Sequence, residues 1–163
     1  MEFTESRMKQ NSTAKEKSLN PQTSARSSQP TVVSQDNLDE RIIAAVQAAA
    51  DKKAIDIVVL DLREIASFTD YFVITSGTNE RQVQAISDEV YETLKKAGTT
   101  AARVEGYKTA EWILLDYGDF IVHVFEQKSR SFYDLERLWR ESTRVALPAD
   151  LTGEPTGSLR RDS

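Results

Sequence analysis

The stretch Trp112-Ile113-Leu114-Leu115-Asp116-Tyr117-Gly118-Asp119-Phe120-Ile121-Val122-His123-Val124-Phe125 reads as two apolar strands joined at Tyr117-Gly118-Asp119. Alternation along the first strand places Trp112, Leu114 and Asp116 on one face and Ile113, Leu115 and Tyr117 on the other. One face must meet a core, and a face that carries Trp followed by Asp is the wetter of the two. Residue chemistry alone leaves two readings of Trp112: a packed aromatic, or an interface anchor beside a carboxylate. His123 shares a side of the second strand with Ile121 and Phe125, where it is either a structural imidazole or a partner contact. It is the only histidine in the chain, which excludes a multi-histidine metal site. No serine or cysteine nucleophile stands in a recognisable motif with it.

Upstream, Asn37 and Glu40 have the spacing of a capping box, and Leu38, Ile42, Val46 and Ala49 then form one apolar face of a helix ending near Lys52-Lys53. Residues 57–62 and 71–76 are β-branched runs of strand length. Gly77 interrupts the second. Asn79 and Gln82 repeat the capping pattern, with Val83, Ile86, Val90, Leu94 and Ala97 as the buried face of a longer helix that stops at Gly98. A short strand is expected over 103–106. Downstream of the quoted stretch, Ser131 is expected to cap a final helix whose Phe132, Leu135, Leu138 and Trp139 face the sheet. The order helix, strand, strand, helix, three strands, helix predicts a single α/β domain with a mixed sheet of about five strands and packed helices.

The 163 residues, 39% of them hydrophobic, suffice for one ordinary core. Residues 1–35 are dominated by Ser, Thr, Gln, Asn and Lys and read as a disordered amino-terminal tail; residues 148–163, with Pro148, Gly153, Pro155 and Gly157, read as a flexible carboxy-terminal one. The domain is therefore expected over 36–147. The Ser-rich, mildly basic start has some character of an organellar transit peptide, against which Glu2, Glu5 and Glu16 weigh. The absence of cysteine excludes disulfides and thiolate metal sites. No apolar run approaches the roughly 20 residues that cross a bilayer, so no membrane association is expected and the cytoplasm is the expected compartment, with an organelle as the alternative. The domain carries 14 Lys+Arg against 20 Asp+Glu, a net −6 that disfavours extensive direct nucleic-acid binding and suits a basic protein partner.

Two further stretches invite a chemical reading. Thr75-Ser76-Gly77-Thr78-Asn79 precedes a helix and could cradle an anion, as a nucleotide-binding loop does, but Glu80-Arg81-Gln82-Val83 follows with no paired carboxylates to hold a metal. Asp56, Asp61 and Asp70 are too scattered to claim as a cluster. The simpler reading is an Asn-capped helix after a glycine turn. Arg130, Arg137, Arg140 and Arg144 are interleaved with Asp134, Glu136 and Glu141, which fits intrahelical pairing better than an RNA patch. No catalytic set, metal or cofactor is expected.

The quoted run, with Thr69-Asp70 and Thr75-Ser76-Gly77-Thr78 before it and Ser131, Tyr133, Leu135, Glu136, Leu138 and Trp139 after it, resembles the ribosomal silencing factor family, also called Iojap-like. The resemblance covers residues 38–142 and departs from the family's frequent pattern at Glu111, where Asp is commoner before the Trp. It implies a nucleotidyltransferase-like fold without the enzyme chemistry. It also implies binding to the large ribosomal subunit through ribosomal protein L fourteen, with steric block of small-subunit joining and repression of translation. Trp112 and Asp116 are the carried-over contact residues, with Tyr117 and His123 as weaker members. A large-subunit assembly factor and, more remotely, a nucleotide-binding enzyme are the alternatives. Oligomeric state, a homodimer included, is left open.

Overall fold

The computed structural model describes residues 38–148 and Leu151. Helix α1 spans Glu40–Asp51 and is followed by strand β1, Ile55–Asp61, and strand β2, Tyr71–Gly77. Helix α2, Glu80–Lys96, leads to the short β3, Arg103–Glu105, then to β4, Trp112–Asp116, and β5, Phe120–Glu126. Two short helices, α3 at Gln127–Tyr133 and α4 at Leu135–Leu138, precede β6 at Thr143–Arg144. The sheet runs β3-β4-β5-β2-β1-β6 and is mixed: β2 and β5 are parallel, every other neighbouring pair antiparallel. The sixth strand exceeds the sequence expectation, because Thr143 and Arg144 pair with Asp61 and Leu60 on a stretch too short to show a period.

Period-two alternation builds two cores on one sheet. Ile57, Val59, Val73, Ile113, Leu115, Phe120, Val122 and Val124 face α1 and α2 and meet Ile42, Val46, Val83, Ile86, Val90 and Leu94. Val58, Leu60, Phe72, Ile74, Ile121 and Phe125 face the other way, where Leu135 and the partly buried Trp112, Leu114 and Trp139 join them. Leu147 and Leu151 pack on the helix-side core. The expected amino-terminal tail, residues 1–35, lies outside the described residues, as does 152–163.

The local chemistry differs from expectation at three points. Asp39, not Asn37, caps α1: its carboxylate accepts from the Arg41 amide at 2.8 Å and is gripped by the Arg41 guanidinium, which lowers its pKa. That guanidinium also reaches Asp119 at 2.9 Å and lies over the Phe120 ring, tying the helix to the β4–β5 turn. Ala97 is exposed, standing as the cap just past the end of α2, while Ser87 takes a place in the helix's buried face. The largest difference is the predicted final helix. Asp134 adopts the left-handed conformation (φ +50°) and breaks it into α3 and α4, so the two halves do not share a face. Leu135 is buried and Trp139 half-buried, but Phe132 and Leu138 point into solvent at 79% and 70% exposure. Glu126, rather than Ser131, caps α3 through the Lys128 amide.

Candidate functional site

The face of the sheet that α1 and α2 do not cover carries three of the four residues singled out above, Trp112 and Asp116 of β4 and His123 of β5. Gly106 (φ +80°) lets the β3–β4 loop approach β4, since a Cβ there would lie 2.1 Å from the Trp112 carbonyl oxygen. From that start β4 pairs with β5 in a register that sets Trp112 beside Phe125, Leu114 beside His123 and Asp116 beside Ile121. Ile113, Leu115 and Tyr117 turn to the helix-side core, as alternation predicts.

Trp112 is half-buried and boxed by rings: Tyr133 at 4.8 Å, Phe125 at 4.9 Å and His123 at 5.9 Å between centroids. Its indole Nε1–H donates to His123 Nδ1 at 3.0 Å. This bond fixes the tautomer, because a neutral imidazole that accepts at Nδ1 carries its proton on Nε2. His123 is 3% exposed, and its Nε2 has no hydrogen-bond partner. Burial pushes its pKa down from 6.5 to about 3, so it is uncharged at neutral pH. The ring stands edge-on to Phe72 at 4.4 Å. Phe72 in turn meets Trp139 at 5.7 Å, and Phe68 closes on Trp139 at 5.8 Å.

The result is a continuous aromatic strip, Tyr133–Trp112–His123–Phe72–Trp139–Phe68, buried in the middle and exposed at its ends. Phe68 and Tyr133 are exposed members of it, with Phe132 and Leu138 exposed on α3 and α4. A patch of large apolar side chains held by a rigid sheet is the anatomy of an interaction surface.

Asp116 stands at the acidic end. Its Oδ1 accepts from the Gly118 amide at 2.9 Å and closes the turn, in which Gly118 sits at φ +86°. Its Oδ2 is 3.2 Å from the Arg103 guanidinium, which also pairs with Glu105. The carboxylate is therefore structural to the hairpin as well as partly open to solvent. Tyr117 is different: it lies in the helix-side core, stacked at 4.9 Å on Phe120, and burial pushes its pKa up to about 12. Neither Tyr117 nor His123 presents a side chain at the surface, so any part they play in binding runs through what they hold in place.

The Thr75–Asn79 loop spends its donors internally. Thr75 Oγ1 and Ser76 Oγ donate to the Ile55 carbonyl, the Thr78 amide donates to Gln82 Oε1, and Asn79 Oδ1 accepts from the Gln82 amide. This is the capped helix of the simpler reading. Among the described residues no three His, Asp or Glu side chains gather as a metal-binding group. Arg130 forms a two-pronged pair with Glu136 and also reaches the Ile55 carbonyl and Ser76 Oγ. The expected pairing within a helix is thus a clamp across the break at Asp134, and it locks α3 and α4 against β1 and β2.

The model of the family described as ribosomal silencing factor during starvation matches residues 35–162. The chain belongs to the ribosomal silencing factor family. A ribosomal silencing factor of Halalkalibacterium halodurans is 42% identical over 108 residues, covering 66% of this chain and 92% of that protein. A crystal structure of a protein from Chromobacterium violaceum superposes with a TM-score of 0.61 at 35% identity, covering 67% of this chain and 88% of that one. The mouse protein named for mitochondrial assembly of the ribosomal large subunit is 32% identical over 97 residues, which is 58% of this chain and 42% of that protein. The family accounts for the α/β architecture expected from the sequence, and no helix among the described residues is long and apolar enough to cross a membrane.

Proposed function

We propose that this member of the ribosomal silencing factor family acts by occupancy: it docks on the large ribosomal subunit through ribosomal protein L fourteen and obstructs small-subunit joining, which lowers translation. The observation that supports this is the aromatic strip around Trp112, whose indole is held by a buried neutral histidine on an acidic domain. An anchor fixed in its rotamer loses little entropy on binding, and a net −6 domain steers toward a basic partner. Trp112 is the central contact and Asp116 the acidic rim. His123 is a positioning residue for Trp112, and Tyr117 supports the hairpin from the core side. Docking of this kind needs no turnover, and we read the protein as a binding protein, not an enzyme. The bacterial relative fits a cytoplasmic setting and the mouse relative's name an organellar one.

The mouse relative's name also favours a second reading, assistance in large-subunit assembly. One experiment separates the two. Purified protein is mixed with mature large subunits, small subunits are added, and joined ribosomes are resolved by sedimentation. Silencing gives co-sedimentation with large subunits and a fall in joined ribosomes. Binding with joining at an unchanged rate under saturating protein would remove the silencing mechanism and leave assembly.

A further inference from the structure

The exposed rings at the end of α3 form a ridge between two grooves of opposite sign. Phe132 and Tyr133 line both grooves and stand edge to face at 5.0 Å. On one side the charged walls are Glu80 at the start of α2, Glu111 before β4 and Glu126 at the end of β5, with Lys128 as the only base. On the other they are Arg137 and Arg140, with Leu138 between them in sequence and Asp134 as the only acid.

These two arginines are free where their neighbours are not. Arg130 is clamped on Glu136 at 2.9 Å, and Arg144 leans on the same carboxylate at 3.8 Å. Among the described residues Arg137 and Arg140 make no ion pair, and both are exposed. Arg140 Nη1 reaches only the Arg137 carbonyl, at 3.4 Å. The pairing expected among these arginines and carboxylates therefore accounts for Arg130 and leaves Arg137 and Arg140 over.

The ridge continues into the Trp112 surface, since Tyr133 lies on the indole at 4.8 Å, so whatever docks there brings its own surroundings to the arginine groove. This step rests on the proposed docking to the large subunit. That particle is built of RNA and of proteins that are mostly basic, so an anion beside a basic protein on it is a phosphate. A guanidinium fork matches phosphate oxygens in two parallel bonds. Two arginines against one aspartate leave a net +1 in the groove, enough for one phosphate. The net −6 of the domain disfavours extensive RNA contact without opposing a single one.

We propose that the groove of Arg137 and Arg140 holds a ribosomal RNA phosphate next to the protein that meets Trp112, so that the ridge of Phe132 and Tyr133 lies on the seam between protein and RNA. The chain has no cysteine, so Leu138→Cys gives a single attachment point, on the groove wall, for an azidophenacyl photo-crosslinker. Irradiated on purified large subunits, the labelled full-length protein is expected to give an adduct that ribonuclease degrades. An adduct to protein alone, or none, overturns the proposal. Arg137→Gln with Arg140→Gln should weaken binding to large subunits about tenfold, the loss of a charge-assisted contact, and lower the slope of log K against log salt by about 1. Arg137→Lys with Arg140→Lys keeps the charge and should keep the slope. Unchanged affinity in the glutamine variant, or an equal loss on isolated ribosomal protein L fourteen, overturns the proposal as well. Wild-type protein that fails to co-sediment with large subunits would remove the docking reading and this inference together, whereas failure in the variants removes this inference alone.

Discussion

The two faces of the central sheet are built from the same strands and differ in what covers them. The face under α1 and α2 is dry and mostly aliphatic, and Phe120, Ile113, Val122 and Val124 are wholly buried in it. The opposite face is covered by two helical fragments whose joint is a left-handed Asp134, and its rings run from full burial at Phe125 to open exposure at Phe132. One side chain in that second layer, His123, is a buried polar group only half satisfied. The helix-side layer holds two unpartnered hydroxyls of its own, Ser87 and Tyr117, so what sets His123 apart is the indole from which it accepts a hydrogen bond. The presence of His123 next to Trp112 fits a surface in which the orientation of an indole matters more than the burial of its neighbour.

The sharpest way to break this contrast is to injure each face in turn. Phe120→Ala, on the dry face, should cost about 3–5 kcal/mol of folding stability by chemical denaturation, through lost burial and a cavity, while the folded fraction still binds large subunits. Trp112→Ala should invert the pattern. Affinity for large subunits, measured by sedimentation, falls by about 2 kcal/mol or more, with a smaller stability loss of about 1–3 kcal/mol because the ring is half-buried and His123 Nδ1 loses its donor. A Trp112→Ala protein that binds normally once folded would assign the whole strip to packing.

His123 offers a contrast in pH. Its folded pKa, about 3, lies below the unfolded 6.5, so the unfolded chain binds the extra proton between those values. Stability is then full above pH 6.5 and falls as pH drops toward 3, by up to about 2 kcal/mol at pH 5. The Asp39 carboxylate, held below its usual 3.8 by Arg41, contributes stability lost only as pH falls below that value. His123→Phe should therefore flatten the slope between pH 6.5 and pH 4 and leave the acid limb intact; an unchanged slope would mean that the imidazole is already solvated in the native state. The smallest effect is expected at Phe132→Ser, within about 0.5 kcal/mol of wild-type stability, since the ring touches little of the core. Reduced subunit affinity in that variant would extend the contact surface from Trp112 onto α3.

How much of this was legible in the chain varies by element. The β4–β5 hairpin, its register of faces and the caps at Asn79 and Gly98 rest on local rules: strand alternation, side-chain capping and glycine's tolerance of positive φ. Sequence does not separate Asp39 from Asn37 as the cap because both residues suit the role, and what decides between them is Arg41, a side chain that also answers to Asp119 far along the sequence. The spacing of apolar residues continues through Asp134 and points Phe132 and Leu138 at the sheet, whereas the Arg130–Glu136 clamp spans a left-handed break at that position.

The sequence by itself determined the α/β order and the two faces of β4, because those depend on periods of two and 3.6 that are written locally, whereas Phe68 and Phe72 join the strip only in the fold. Tertiary structure alone decided that His123 is neutral and bonded to Trp112, that Tyr117 belongs to the core, and that Ser87 stands unpartnered beside Asp88. Burial and hydrogen-bond partners are properties of groups brought together from distant parts of the chain, and no local period encodes them.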